Sequence, residues 1–141
     1  MRVAFGSDHG GFDLKEILKA ELMQRGHEVS DLGTYDGTVS VDYPDYGAAV
    51  GRAVVAGDAD LGVCTCGTGI GISMAANKVP GVRAALCTDA ATAACARRWN
   101  DANVLAFGLR LTSEAVAAEM LDAFCSTPFD ESERAEVERL E

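Results

Sequence analysis

A chain of 141 residues, 48% hydrophobic and 24% charged, has the composition of one globular domain that buries a core without disulfide staples. Its formal net charge of -10 sets the whole-molecule field against nucleic acid and anionic membranes, so an anionic ligand must be met by locally grouped cations or amides. No apolar run approaches the length of about 18 residues that a membrane span needs, and five cysteines with Cys64 and Cys66 two apart do not make a secreted disulfide scaffold. The expectation is a cytoplasmic protein in a reducing compartment, with neither nucleic acid nor membrane as partner.

In chain order, β-branched or apolar runs alternate with segments of helical length. A strand over residues 3–5 is followed by a helix over 12–25 that Gly26 stops, and a strand over 28–32 by a helix over 45–56 that Gly57 stops. Residues 61–66 form an almost continuous apolar run suited to a central strand, and a helix over 70–78 follows. A strand over 83–87, a helix over 90–98, a strand over 104–107 and a helix over 113–125 complete the pattern. Residues 129–141 are acidic and hold too few apolar side chains for a core helix, which predicts a helical extension on the surface or against a partner. Strands joined by single helices require right-handed crossovers. The predicted fold is therefore α/β: a five-stranded parallel sheet in a three-layer, Rossmann-like sandwich, one domain over residues 1–141.

Ligands of such sheets bind beyond the carboxyl ends of the strands. There the sequence places Cys66-Gly67-Thr68-Gly69-Ile70-Gly71-Ile72-Ser73, a strand ending in a thiol and three glycines opening onto a helix. Exposed amides and the positive helix end make an anion site, fit for a phosphate or for the oxyanion of an enediolate, and the same field favours negative charge on the sulfur. A thiolate so placed acts as a nucleophile or as a base removing a proton beside a carbonyl, and the residues alone leave both open. An inert buried cysteine in a tight turn satisfies the same spacing. A dinucleotide fingerprint fits poorly: Asp89 stands where a ribose-binding acid would, but the third glycine falls on Ile72. Zinc fits no better, since only His9 and His27 are available to join Cys64 and Cys66.

Two further segments belong to the same edge, and a third leads into the fifth strand. Gly6-Ser7-Asp8-His9-Gly10-Gly11 offers a carboxylate and an imidazole, for which helix capping by Asp8 is the alternative. The loop from Gly33 to Tyr46 carries phenols and carboxylates that suit sugar hydroxyls. Arg97-Arg98-Trp99-Asn100-Asp101 ends a helix, where the arginines also complement the negative helix terminus.

Five blocks in order, Gly6 to Gly11, Asp42-Tyr43-Pro44, Cys66 to Ser73, Ala75-Ala76-Asn77-Lys78-Val79-Pro80-Gly81 and Asn100 to Gly108, make the chain resemble the ribose-5-phosphate isomerase type B and galactose-6-phosphate isomerase family. The resemblance runs from Val3 to about Phe129 and implies an aldose-ketose isomerase acting on a sugar or sugar phosphate, without metal or organic cofactor. It implies that Cys66 moves the proton between C1 and C2. Thr68 and the amides of Gly67, Gly69 and Gly71 would hold the enediolate oxygens, and Asp8, Tyr43 and Asn100 would contact the sugar. His9 and Arg110 stand at phosphate-contacting positions. It further implies a homodimer or homotetramer whose active site lies between subunits, the segment around Asn100 and Arg110 reaching the neighbour's Cys66.

The sequence departs from the family pattern at two places. Trp99 stands where the ribose-5-phosphate enzymes carry a ring-opening histidine, and indole cannot exchange that proton. Glu131-Ser132-Glu133-Arg134, with Val137, stands where they carry two phosphate-gripping arginines. The departures admit three readings: an altered substrate such as a tetrose phosphate, a cysteine-bearing subunit completed by a paralogous partner, or a sugar-phosphate-binding protein without catalysis.

Overall fold

The structure, a computed structural model, describes all 141 residues. Five strands, β1 (Arg2–Ser7), β2 (Glu28–Asp31), β3 (Leu61–Cys66), β4 (Ala84–Leu86) and β5 (Val104–Gly108), pair in parallel in the order β2-β1-β3-β5-β4. The helices are α1 (Phe12–Gln24), α2 (Tyr43–Val55), α3 (Ile70–Asn77), α4 (Ala90–Asn100), α5 (Glu114–Ser126) and α6 (Arg134–Glu138). This is the expected three-layer α/β sandwich.

Side chains alternate across a strand, so each central strand feeds two cores. Val3, Phe5, Val63, Leu105 and Phe107 pack against Leu14 and Leu18 of α1, Ala93 of α4, and Met120 and Phe124 of α5. On the other face Ala4, Cys64, Cys66 and Ala106 meet Val50 of α2 and Ile72 and Ala76 of α3. Every residue of β3 is buried, the consequence of a strand covered on both sides. After β1 the chain crosses to β2 at one edge, and after β3 it crosses to β4 at the other. The crevice between the carboxyl ends of β1 and β3 is therefore the topological switch point.

Several boundaries differ from the sequence reading for identifiable reasons. Helix α2 starts two residues early because Pro44 is well suited to a first turn that needs no N–H. Helix α4 runs on through Trp99 and Asn100, closing on Asp101 in a left-handed conformation. The acidic extension is helical only as a 3-10 turn over Glu131–Glu133 followed by α6, and it is docked: Val137 is buried. Asp89, the candidate ribose-binding acid, instead caps α4. It accepts the Thr92 amide at 2.8 Å while Thr92 Oγ1 accepts the Asp89 amide at 3.2 Å. Asp89→Ala is expected to lower stability by about 1 kcal/mol, read as a shifted urea midpoint with unchanged slope.

Candidate active site

At the end of β3 the Cys66 side chain is 5% exposed, and its Sγ accepts the Gly69 amide at 3.2 Å. The turn that delivers this amide requires glycine at position 69. Its φ is +79°, and a Cβ there would lie 2.6 Å from the Phe107 carbonyl carbon. Thr68 Oγ1 accepts the Ile70 amide at 3.3 Å. The amides of Gly71 and Ile72 follow in the first turn of α3, where a helix has no backbone acceptors for its own donors. A thiol, a hydroxyl and a row of amides thus share one turn, an arrangement that receives negative charge.

The second wall comes from the β1 end and from α2. Asp8 is 8% exposed and its Oδ1 accepts the Gly11 amide at 3.0 Å, capping a 3-10 turn over His9–Gly11. Capping and site placement, alternatives in the sequence, are thus compatible. The Tyr43 ring lies on Gly71, where a Cβ would come within 2.5 Å of Cε1, so glycine at 71 is what admits the phenol to the cleft. Together Asp8, Tyr43, Cys66, Gly67, Thr68, Ile70, Gly71 and Met74 line an open cleft of about 450 Å3. Ile70 and Met74, one helical turn apart and exposed, form an apolar wall that the sequence reading missed. They were legible only as an i, i+4 pair on the outer face of α3.

Neither His9 nor Arg110 lines the cleft itself: His9 follows Asp8 in the 3-10 turn, and Arg110 Nε lies 4.0 Å from where a Cβ on Gly67 would stand. His9 Nδ1 lies 3.1 Å from both the amide nitrogen and the carbonyl oxygen of Val41, which ties the ring to the loop ahead of α2. Leu109 and Arg110 donate their amides to the carbonyls of Cys66 and Gly67 at 3.0 and 2.9 Å, seating the exposed Arg110 beside the glycine turn with no ion pair of its own. Asn100 is elsewhere. It lines a separate groove of about 440 Å3 with Asn77, Arg83 and Leu140, so a single chain does not bring it to Cys66.

Burial, with Cys66 close by, pushes the Cys64 thiol up, and burial pushes Cys87 up to about 11. Iodoacetamide on the native protein at mildly alkaline pH is expected to leave Cys64 and Cys87 unmodified in peptide mass spectra, whereas the unfolded chain is alkylated at both.

The comparisons with known proteins decide the family. The family model described as Ribose/Galactose Isomerase matches residues 3–141. The chain belongs to this family. It is 44% identical over 129 residues to ribose-5-phosphate isomerase B of Escherichia coli, covering 92% of this chain and 86% of that protein. It is 43% identical over 129 residues to a galactose-6-phosphate isomerase subunit of Clostridium acetobutylicum, covering 92% and 74%. Among solved structures, ribose-5-phosphate isomerase B of Clostridium thermocellum superposes with a TM-score of 0.97 at 45% identity, over 99% of this chain and 95% of that one. The chain is thus a sugar-phosphate isomerase of the aldose-ketose type, and no helix is long and apolar enough to cross a membrane.

Proposed function

We propose that this isomerase moves a proton between C1 and C2 of a short-chain aldose phosphate through an enediolate, with Cys66 as the base. The carrying observation is the contact of Cys66 Sγ with the Gly69 amide, beside the free first-turn amides of α3 in the cleft at the switch point. The thiolate takes the C2 proton, and the electron pair closes C1=C2 while the carbonyl oxygen at C1 gathers negative charge. The amides around Gly71 and the Thr68 hydroxyl hold that oxygen. The same thiol returns the proton to C1. Meanwhile the hydroxyl proton at O2 passes to O1, a transfer for which Asp8 supplies the carboxylate. Tyr43 contacts sugar hydroxyls, and His9 and Arg110 face the phosphate.

Asn100 and Trp99 reach a cleft only from a second copy, so the working unit is a homodimer or a pair of dimers. Trp99, half-exposed beside Asn100, presents an indole that moves no proton for ring opening. This favours substrates that are open-chain in solution, tetrose phosphates foremost. A second reading, completion by a histidine-bearing paralogous subunit, draws support from Arg134, whose guanidinium is already bidentate to Glu131 at 2.9 and 3.0 Å. The test is a screen of tetrose, pentose and hexose phosphates, with free sugars alongside, for deuterium at the exchanging carbon in heavy water. Exchange with a phosphorylated aldose is the expected result. If no sugar exchanges, the homomeric enzyme is excluded and the search moves to a partner chain.

A further inference from the structure

Asp101 is the one non-glycine residue with positive φ, 46°, and it closes α4 immediately after Trp99 and Asn100. A left-handed closing position is ordinarily glycine or asparagine. Here the side chain does more than tolerate the conformation. Its Oδ1 accepts Arg97 Nη1 at 3.1 Å, its Oδ2 accepts Arg83 Nη2 at 3.2 Å, and Arg134 Nη1 lies 3.6 Å from the same oxygen. Its carbonyl accepts Arg83 Nε at 2.8 Å.

The three guanidinium groups come from different parts of the chain. Arg83 leads into β4, Arg97 belongs to α4 and stacks over the Phe124 ring of α5 at 5.7 Å, and Arg134 opens α6. The C-terminal segment adds a backbone tie, the Asp130 amide donating to the Arg98 carbonyl at 2.8 Å. Asp101 and Arg97 are only 19% and 15% exposed in their side chains, so these charge-assisted bonds are poorly screened. Between the braces, Trp99 and Asn100 are exposed and make no side-chain hydrogen bond within the chain.

We infer that Asp101 is a positioning residue: its three-arginine brace fixes the Trp99–Asn100 corner for the cleft of a second copy. The inference rests on the reading above, that a second copy completes the cleft. A helix end needs only a left-handed residue to close it, and asparagine serves as well. A corner that must meet a substrate in another subunit needs its direction set, since displacement by about 1 Å can cost about 100-fold in rate. The sheet edge, the helix itself and the C-terminal segment set it together.

The test begins with Asp101→Asn, which keeps the left-handed conformation and removes the charge. Isomerisation measured as kcat/KM is expected to fall about 10- to 100-fold in a folded protein; full activity would make Asp101 a cap and nothing more. Asp101→Gly, free of the backbone penalty, carries the test if the asparagine variant does not fold. The second arm pairs chains bearing different tags. A dimer of one Asp101→Asn chain and one Cys66→Ala chain holds one cleft with both an intact base and an intact corner, and is expected to recover about half the wild-type turnover. The pair Asn100→Ala with Cys66→Ala runs beside it. Recovery in both pairs supports the inference. Recovery in the Asn100 pair alone shows that Asp101 acts within its own subunit and overturns the inference while the two-copy cleft stands. Recovery in neither overturns the two-copy cleft and the inference with it.

Discussion

Cys66→Ala is expected to lower turnover and solvent-proton exchange by about 100- to 10,000-fold, the range over which a positioned acid-base group contributes. The fold is expected to survive. The side chain is small, it lies at the end of β3 beside an open cleft, and its loss strands one donor, the Gly69 amide, at a cost of about 1 kcal/mol. Cys66→Ser refines the argument. It keeps an acceptor for the Gly69 amide in nearly the same place but replaces a thiol with an alcohol that rarely ionises near neutrality, so a base role predicts almost the same loss as alanine. A role limited to hydrogen bonding predicts that serine restores activity. Intact-mass measurement during turnover separates base from nucleophile, since attack of sulfur on the carbonyl leaves a sugar adduct on Cys66 and proton abstraction leaves none. Exchange retained in Cys66→Ala would sink the mechanism.

Much of this site could be read from the sequence because its geometry is local. From Cys66 to Ser73, strand end, glycine turn and helix start are consecutive, so the spacing alone brings thiol and amides together. The same holds for Asp8, whose cap reaches only to Gly11. Where contacts are distant, the sequence reading fell short. Strand β4 is shorter than expected because side chains replace part of its ladder: Asn103 Oδ1 accepts the Arg83 amide at 2.7 Å and Asn77 Oδ1 the Ala84 amide at 2.7 Å. No local pattern announces either bond. Lys15 is fully buried against Asp31, sixteen residues away, a pairing that the sequence around either residue does not show. Asn100 shows the remaining limit: its motif is plain in the sequence, but its separation from Cys66 within one chain is implied only by the family resemblance and not by the residues themselves.

Asp31→Ala is expected to destabilise the domain by about 3 kcal/mol, because it leaves the Lys15 ammonium buried with only the half-exposed Glu16 as a charged partner. For a domain of this length that is a fall in Tm of roughly 10 °C. In the native chain Lys15 Nζ meets Asp31 Oδ1 and Oδ2 at 2.7 and 2.8 Å, Lys19 reaches Oδ2 at 2.8 Å, and the Gly33 amide donates to Oδ1 at 2.9 Å. Burial by itself would push the Asp31 carboxyl up, but the two lysines and the Gly33 amide together hold it below its ordinary value. The sign of the pH dependence follows. A depressed native value means that this stabilisation is present above the unfolded carboxyl's value of about 3.9 and disappears as pH falls through the lower native one. The gap in Tm between wild type and Asp31→Asn is thus expected to be full at neutral pH and to close only in strongly acidic solution. A gap that stays constant through that range would refute the assignment. The double variant Lys15→Met with Asp31→Asn is expected to recover part of the loss, since removing both charges leaves no stranded ammonium. Through the Gly33 amide the Asp31 carboxylate also anchors the start of the loop that carries Val41 to His9 and leads into Tyr43, a tie that both side-chain variants weaken. The single variants should therefore raise KM alongside lowering Tm, and the double variant should restore Tm more than KM.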